Sequence, residues 1–126
     1  ILVLLQNPYR EQGIGRYDDR EFWLGRMWGS YTGKRLKEML PENEEIWVDN
    51  ASWNWGEVAG ACFPADLKHI RQLVSKLKPD KILACGKIAQ EGLKKLNIAY
   101  IPAPHPAYRA LSKKMTMEIK ERLGNA

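Results

Sequence analysis

The chain is 126 residues long, 44% hydrophobic and 28% charged, with a formal net charge of +5. That is the make-up of a single soluble domain, residues 1–126, with room for one core. No apolar run approaches a membrane span and no signal-peptide pattern opens the chain, so no membrane partner is expected. The two cysteines, Cys62 and Cys85, are too few for a four-ligand zinc site or an iron–sulfur cluster. They read as buried thiols of a reducing, cytoplasmic compartment, with no metal and no other cofactor expected.

In chain order, Ile1–Leu5 is an aliphatic run that reads as a strand buried on both faces. Gln6-Asn7-Pro8-Tyr9 ends it in a loop that passes through Gly13 and Gly15, glycines that permit turning or close approach to a ligand. Phe22, Trp23, Met27 and Trp28 recur at roughly helical spacing, a stripe that reads as core. Thr32 is placed to cap a short helix bearing Leu36, Met39 and Leu40, which Pro41 ends. Ile46–Val48 reads as a second strand and runs into Asp49-Asn50-Ala51-Ser52-Trp53-Asn54-Trp55, where amides and indoles mix as few core elements require.

Asp66 caps a helix whose Leu67, Ile70, Leu73, Val74 and Leu77 share one face. His69 falls off that face and reads as solvated. Lys81–Ala84 is a third strand, followed at Cys85-Gly86 by a helix with Ile88, Ala89, Leu93 and Leu96, which Asn97 closes. A fourth strand, Ile98–Ile101, delivers Pro102-Ala103-Pro104-His105-Pro106-Ala107. Three prolines there restrict the backbone on either side of the histidine. Ser112–Leu123 closes the chain as a basic helix with Met115, Ile119 and Leu123 inward.

Strands separated by helices or long loops predict an α/β fold, a three-layer sandwich around a central four-stranded parallel sheet. In such sheets ligands bind beyond the carboxyl ends of the strands. The unusual polar residues follow strands one, two and four, so three separate loops are expected to converge on one rim. Charge is uneven as well. Residues 1–60 hold seven Lys/Arg against ten Asp/Glu, and residues 61–126 hold thirteen against five, which suggests a polyanionic partner for the C-terminal half. Gly86-Lys87 lacks the upstream glycine of a phosphate loop.

These pieces, in this order, resemble the uracil-DNA glycosylase superfamily. Leu5-Gln6-Asn7-Pro8-Tyr9 is similar to its first motif, Gly-Gln-Asp-Pro-Tyr, and His105-Pro106-Ala107 to its last, His-Pro-Ser or His-Pro-Ala. Asn50 stands where the family keeps its base-reading asparagine, and Leu83–Gln90 resembles its third strand and following helix. The resemblance covers nearly the whole chain, apart from the family's N-terminal helical portion. It implies a glycosylase-like domain that flips uracil or another deaminated base from single- or double-stranded DNA and hydrolyses the N-glycosidic bond. It also implies a monomeric protein, cytoplasmic or nucleoid-associated.

The same resemblance assigns catalysis to Asn7 and His105 and substrate binding to Gln6, Pro8, Tyr9, Asn50 and Trp53. Tyr9 would exclude thymine, Asn50 would read the uracil edge, and Trp53 or Trp23 would stack on the base. DNA contacts would come from Pro106, Ala107, Tyr108 and Arg109, while Lys113 and Lys114 belong to the basic segment. One departure bears on the chemistry. The family's first motif carries Asp where Asn7 stands, and an amide has no lone pair basic enough to act as a general base. A catalytically weak or inactive base-binding protein on the same fold is therefore the alternative. Asp49 is the one acid near the rim and is expected to face away.

Overall fold

The computed structural model describes residues 1–6, 25–52, 64–106, 108 and 110–124. Their elements run β1 (Leu2–Leu5), α1 (its described part residues 25–28), α2 (Tyr31–Met39), β2 (Trp47–Asn50), α3 (Leu67–Leu77), β3 (Ile82–Cys85), α4 (Lys87–Lys95), β4 (Ile101–Ala103) and α5 (Lys113–Gly124). The strands form one all-parallel sheet in the order β2-β1-β3-β4. Every residue of β1 and β3 is buried, the burial that their unbroken aliphatic character predicted for central parallel strands.

The pleat sends alternate side chains to opposite faces, and each face is covered by helices. Val3, Leu5, Val48, Leu83 and Cys85 pack with Met27, Leu36 and Met39 of α1 and α2 and with Ile119 and Leu123 of α5. Leu2, Leu4, Ile82 and Ala84 pack on the other face with Ile70 and Leu73 of α3 and Ala89 and Leu93 of α4. Gly92 lets α3 and α4 close together, because a Cβ there would sit 2.8 Å from Ala65 Cβ and from Ile70 Cδ1. Burial of Cys85 pushes its thiol up to about 12, which leaves it an inert apolar filler. Cys62 lies outside the described residues.

Element boundaries differ from the sequence expectations in instructive ways. The cap of α2 is Ser30, whose Oγ accepts from Gly33 N at 3.2 Å, and not Thr32. The strand β2 continues past Val48 through Asp49 and Asn50, although both side chains are polar. Pairing explains the extension: Trp47 N and Ala51 N donate to Ile1 O and Leu5 O at 2.9 Å each. The strand β4 is shifted, beginning at Ile101 and including Pro102. A missing N–H is tolerated there because β4 is an edge strand with only β3 beside it. Asp66 caps α3 as expected, accepting from His69 N at 3.1 Å, and Asn97 leaves α4 in the left-handed region at φ 62°.

Candidate functional site

The register fixes which residues stand at the carboxyl rim. Leu5 pairs with Asn50, and Cys85 pairs with Ala103. Gln6, Ala51, Gly86 and Pro104-His105 therefore lie just beyond the strand ends, on one side of the sheet. The chain order reverses between β1 and β3, so the crevice expected to take a ligand in a doubly wound sheet lies between Gln6 and Gly86. Asn50 and His105 flank that crevice from the two edge strands. Three strand spacings separate those edges, about 14 Å backbone to backbone.

Asn50 is the most unusual residue of the rim. It is 1% exposed, and neither its Oδ1 nor its Nδ2 has a hydrogen-bond partner among the described residues. A buried amide left unpaired costs roughly 1–3 kcal/mol. A ligand, an ordered water or a catalytic role accounts for such a group in a folded protein. Period two places Asn50 on the face shared by Val48, opposite Asp49.

His105 is held from both directions in the chain. Its carbonyl accepts from Tyr108 N at 2.8 Å, and Tyr108 O in turn accepts from Leu111 N at 3.1 Å, a pair of successive turns. From the sheet side, Gly86 N donates to Ala103 O at 2.8 Å. Gln90 Nε2 of α4 bridges Ala84 O at 3.2 Å and Ala103 O at 3.1 Å, tying together the ends of β3 and β4. Gly86 has φ +89°, and a Cβ added to it would face His105 Cβ at 3.7 Å, so this glycine supplies the turn that lets α4 start beside the histidine. Burial lowers the His105 pKa below the ordinary histidine value. At neutral pH its ring is uncharged and keeps one N–H to donate.

Behind Asn50, on the opposite face of β2, Asp49 is buried at 2% exposure. Its Oδ1 accepts from Asn50 N at 2.8 Å and pairs with His69 Nε2 at 3.0 Å, while its Oδ2 accepts from Trp47 Nε1 at 3.2 Å. Since Trp47 N and Ala51 N point to β1, the Asn50 N–H points to the free edge, and the carboxylate covers it there. His69 is thus half-buried against Asp49 and not solvated, because α3 is set close enough over the edge strand for a residue in its first turn to reach across. The hydrogen bond that His69 donates to Asp49 raises the His69 pKa, opposed by desolvation and aided by the charges of Asp49 and Asp66.

Of the residues singled out from the sequence, Asn50 and His105 are brought to the same rim, with Gln6 partly exposed at the end of β1. Pro106 is fully buried, which leaves it no surface for the DNA contact expected of it. Tyr108 is 53% exposed, and Lys113 and Lys114 are exposed at the start of α5. Asn7, Pro8, Tyr9, Trp23, Trp53, Ala107 and Arg109 lie outside the described residues. Sequence reading missed Gln90 as the bridge between strand ends and His69 as the partner of Asp49. Strict alternation along β2 was the available signal for the second, since it puts Asp49 on the face that α3 covers. No group of three or more His, Cys, Asp or Glu among the described residues has metal-site geometry, and no helix among them is long and apolar enough to cross a membrane. No family model, curated protein or solved structure matches the chain.

Proposed function

We propose that this chain is a uracil-DNA glycosylase-like protein that binds a flipped uracil, or a related deaminated base, at the carboxyl rim of its sheet and hydrolyses its N-glycosidic bond. The observation that carries the reading is the orphaned, buried amide of Asn50, on the same rim as a neutral His105. The sequence resemblance gives that pair its chemistry.

Uracil presents an N3–H donor beside an O4 acceptor. Asn50 Oδ1 accepts the first and Nδ2 donates to the second, which pairs both orphaned atoms at once. Cytosine reverses the pattern at those positions and would leave both groups opposed to like partners, a stronger basis for rejection than a shape difference. As the glycosidic bond breaks, negative charge develops on the base. A neutral imidazole aimed at O2 stabilises that charge without first giving up a proton. Base flipping costs a few kcal/mol, part of which the newly formed pairs at Asn50 offset.

The second reading is a base-binding protein with little or no activity, and one observation favours it. Asp49, the acid nearest the rim in sequence, is on the wrong face and engaged by His69 and Trp47, while Asn7 brings an amide where the family's motif has a carboxylate. Single-turnover assays on uracil-containing oligonucleotides, scored as alkali-labile breaks, separate the two. Cleavage by the wild type, reduced about 10²–10³-fold in His105→Ala with binding retained, supports the glycosylase. Asn50→Ala should weaken binding and blur uracil against cytosine. Binding without cleavage, unaltered by Asn7→Asp, leaves the base-binding protein. Neither binding nor cleavage removes both.

A further inference from the structure

Among the described residues three large hydrophobic side chains are markedly exposed: Tyr31 at 58%, Tyr108 at 53% and Met117 at 62%. Two of the three belong to one corner of the molecule. Tyr31 opens α2, and Tyr108 lies in the turn that follows His105. The link between them is Arg35. Its Nη2 donates to Leu111 O at 2.7 Å, its Nη1 donates to Tyr31 Oη, and its guanidinium lies 5.3 Å from the centre of the Tyr31 ring. Leu111, buried in the core, is in turn bonded through its N–H to Tyr108 O. A single guanidinium thus ties the first turn of α2 to the loop that presents both His105 and Tyr108. The helix α2 leads from the rim side back towards the start of β2, so its first turn is at the rim.

Two aromatic rings beside the base-reading rim are each more than half exposed. The charge around them is positive. Lys34 and Lys37 are exposed on α2, where Glu38 is the one acid, and Lys113 and Lys114 are exposed at the start of α5. Rings for stacking set among cations are the composition that binds unpaired nucleotides, because every base has a face to stack while only the phosphates need charge. In a duplex those faces are already stacked on neighbouring base pairs.

We propose that Tyr31, Arg35 and Tyr108 form a stacking surface for the unpaired nucleotides flanking the target base, so that the partner of this rim is single-stranded DNA. The choice of DNA rests on the reading above; the surface itself does not require uracil chemistry. Arg35 positions the two rings and does not touch the reacting base.

The test uses a fluorescent oligodeoxythymidylate, free of uracil, alone and annealed to oligodeoxyadenylate, titrated with the intact protein across a salt series. The single strand should bind more tightly than the duplex. Tyr31→Ala and Tyr108→Ala should each weaken single-strand binding roughly 5- to 150-fold with the log–log salt slope unchanged, since no phosphate contact is lost. Tyr108→Trp should restore binding. Both tyrosines are exposed, so unchanged thermal melting confirms intact folding of the variants. Equal or tighter duplex binding overturns the proposal, as do alanine variants within twofold of wild type or a loss accompanied by a flatter slope. Because the probe carries no uracil, stacking without excision would spare this surface and remove the glycosylase, and excision indifferent to both tyrosines would do the reverse.

Discussion

Removing His69 should destabilise the protein in a pH-dependent way whose direction is set by its partner. Asp49 has a side chain only 3% exposed, whereas that of His69 is 27% exposed. Breaking a fully buried pair costs about 3–5 kcal/mol, but a hydrogen bond to one charged group contributes about 1.5–3 kcal/mol. The partial exposure of His69, and the two donors that Asp49 keeps in Trp47 and Asn50, put His69→Ala in the second range, about 2 kcal/mol at pH 5.5. Asp49 raises the His69 pKa in the folded state. The charge-dependent part of the stabilisation is therefore complete below the unfolded value of about 6.5 and is lost as pH rises through the folded value. At pH 9 a neutral imidazole still donates one ordinary hydrogen bond, leaving about 1 kcal/mol. For a chain of this length each kcal/mol corresponds to roughly 3–5 °C in Tm, so the variant should melt about 6–10 °C below wild type at pH 5.5 and about half as far below it at pH 9. His105, whose lowered pKa destabilises the fold as pH falls, is present in both proteins and cancels. A deficit that is constant or grows with pH would refute the assignment of a charged His69–Asp49 pair.

Two further outcomes follow from the rim. Gly86→Ala places a Cβ at φ +89° without a steric clash, the nearest atom being His105 Cβ at 3.7 Å. It should cost about 1–2 kcal/mol in denaturant unfolding from backbone strain, and a loss no larger than that of an ordinary surface variant would mean that the turn relaxes. Lys113→Ala and Lys114→Ala should each reduce the log–log salt slope of duplex DNA binding by about 0.9, and unchanged slopes would make α5 a solvated surface.

How much of this was legible beforehand depended on whether one signal or two acted on a residue. The β1 and β3 strands, buried on both faces, were readable from aliphatic runs alone, because nothing local competes with that reading. The end of β2 was not: Asp49 and Asn50 are poor strand formers by propensity, and what makes them strand is the pairing to Ile1 and Leu5 across more than forty residues of sequence. Pro102 misled for the related reason that its effect depends on whether its strand is central or at the edge. The common placement of Asn50 and His105 at one rim was legible because each stands at or just beyond a strand end. Gln90 and His69 were missed because each acts through a tertiary contact, Gln90 to two carbonyls and His69 to a carboxylate, that helical periodicity does not encode.

Alternation at the end of β2 gives two adjacent polar residues opposite fates, and that contrast supplies the last prediction. Asp49 is buried with its acceptors filled, and it stabilises the strand edge. Asn50 is equally buried with its amide unpaired among the described residues, and a buried amide left unpaired weakens a fold. If that amide is kept for a ligand, replacing it by a branched apolar side chain of similar shape should relieve the desolvation cost. Asn50→Leu should then raise stability by about 1–3 kcal/mol, or roughly 3–15 °C in Tm, while abolishing recognition of uracil. Asn50→Ala should gain less, since truncation leaves a void whose lining loses contacts. A buried asparagine already paired in the free protein behaves the opposite way, because its former partners would be stranded by leucine. Thermal melting of the three proteins without ligand distinguishes the cases. A destabilised Asn50→Leu would show that the amide is structural, and the rim would lose its candidate base reader.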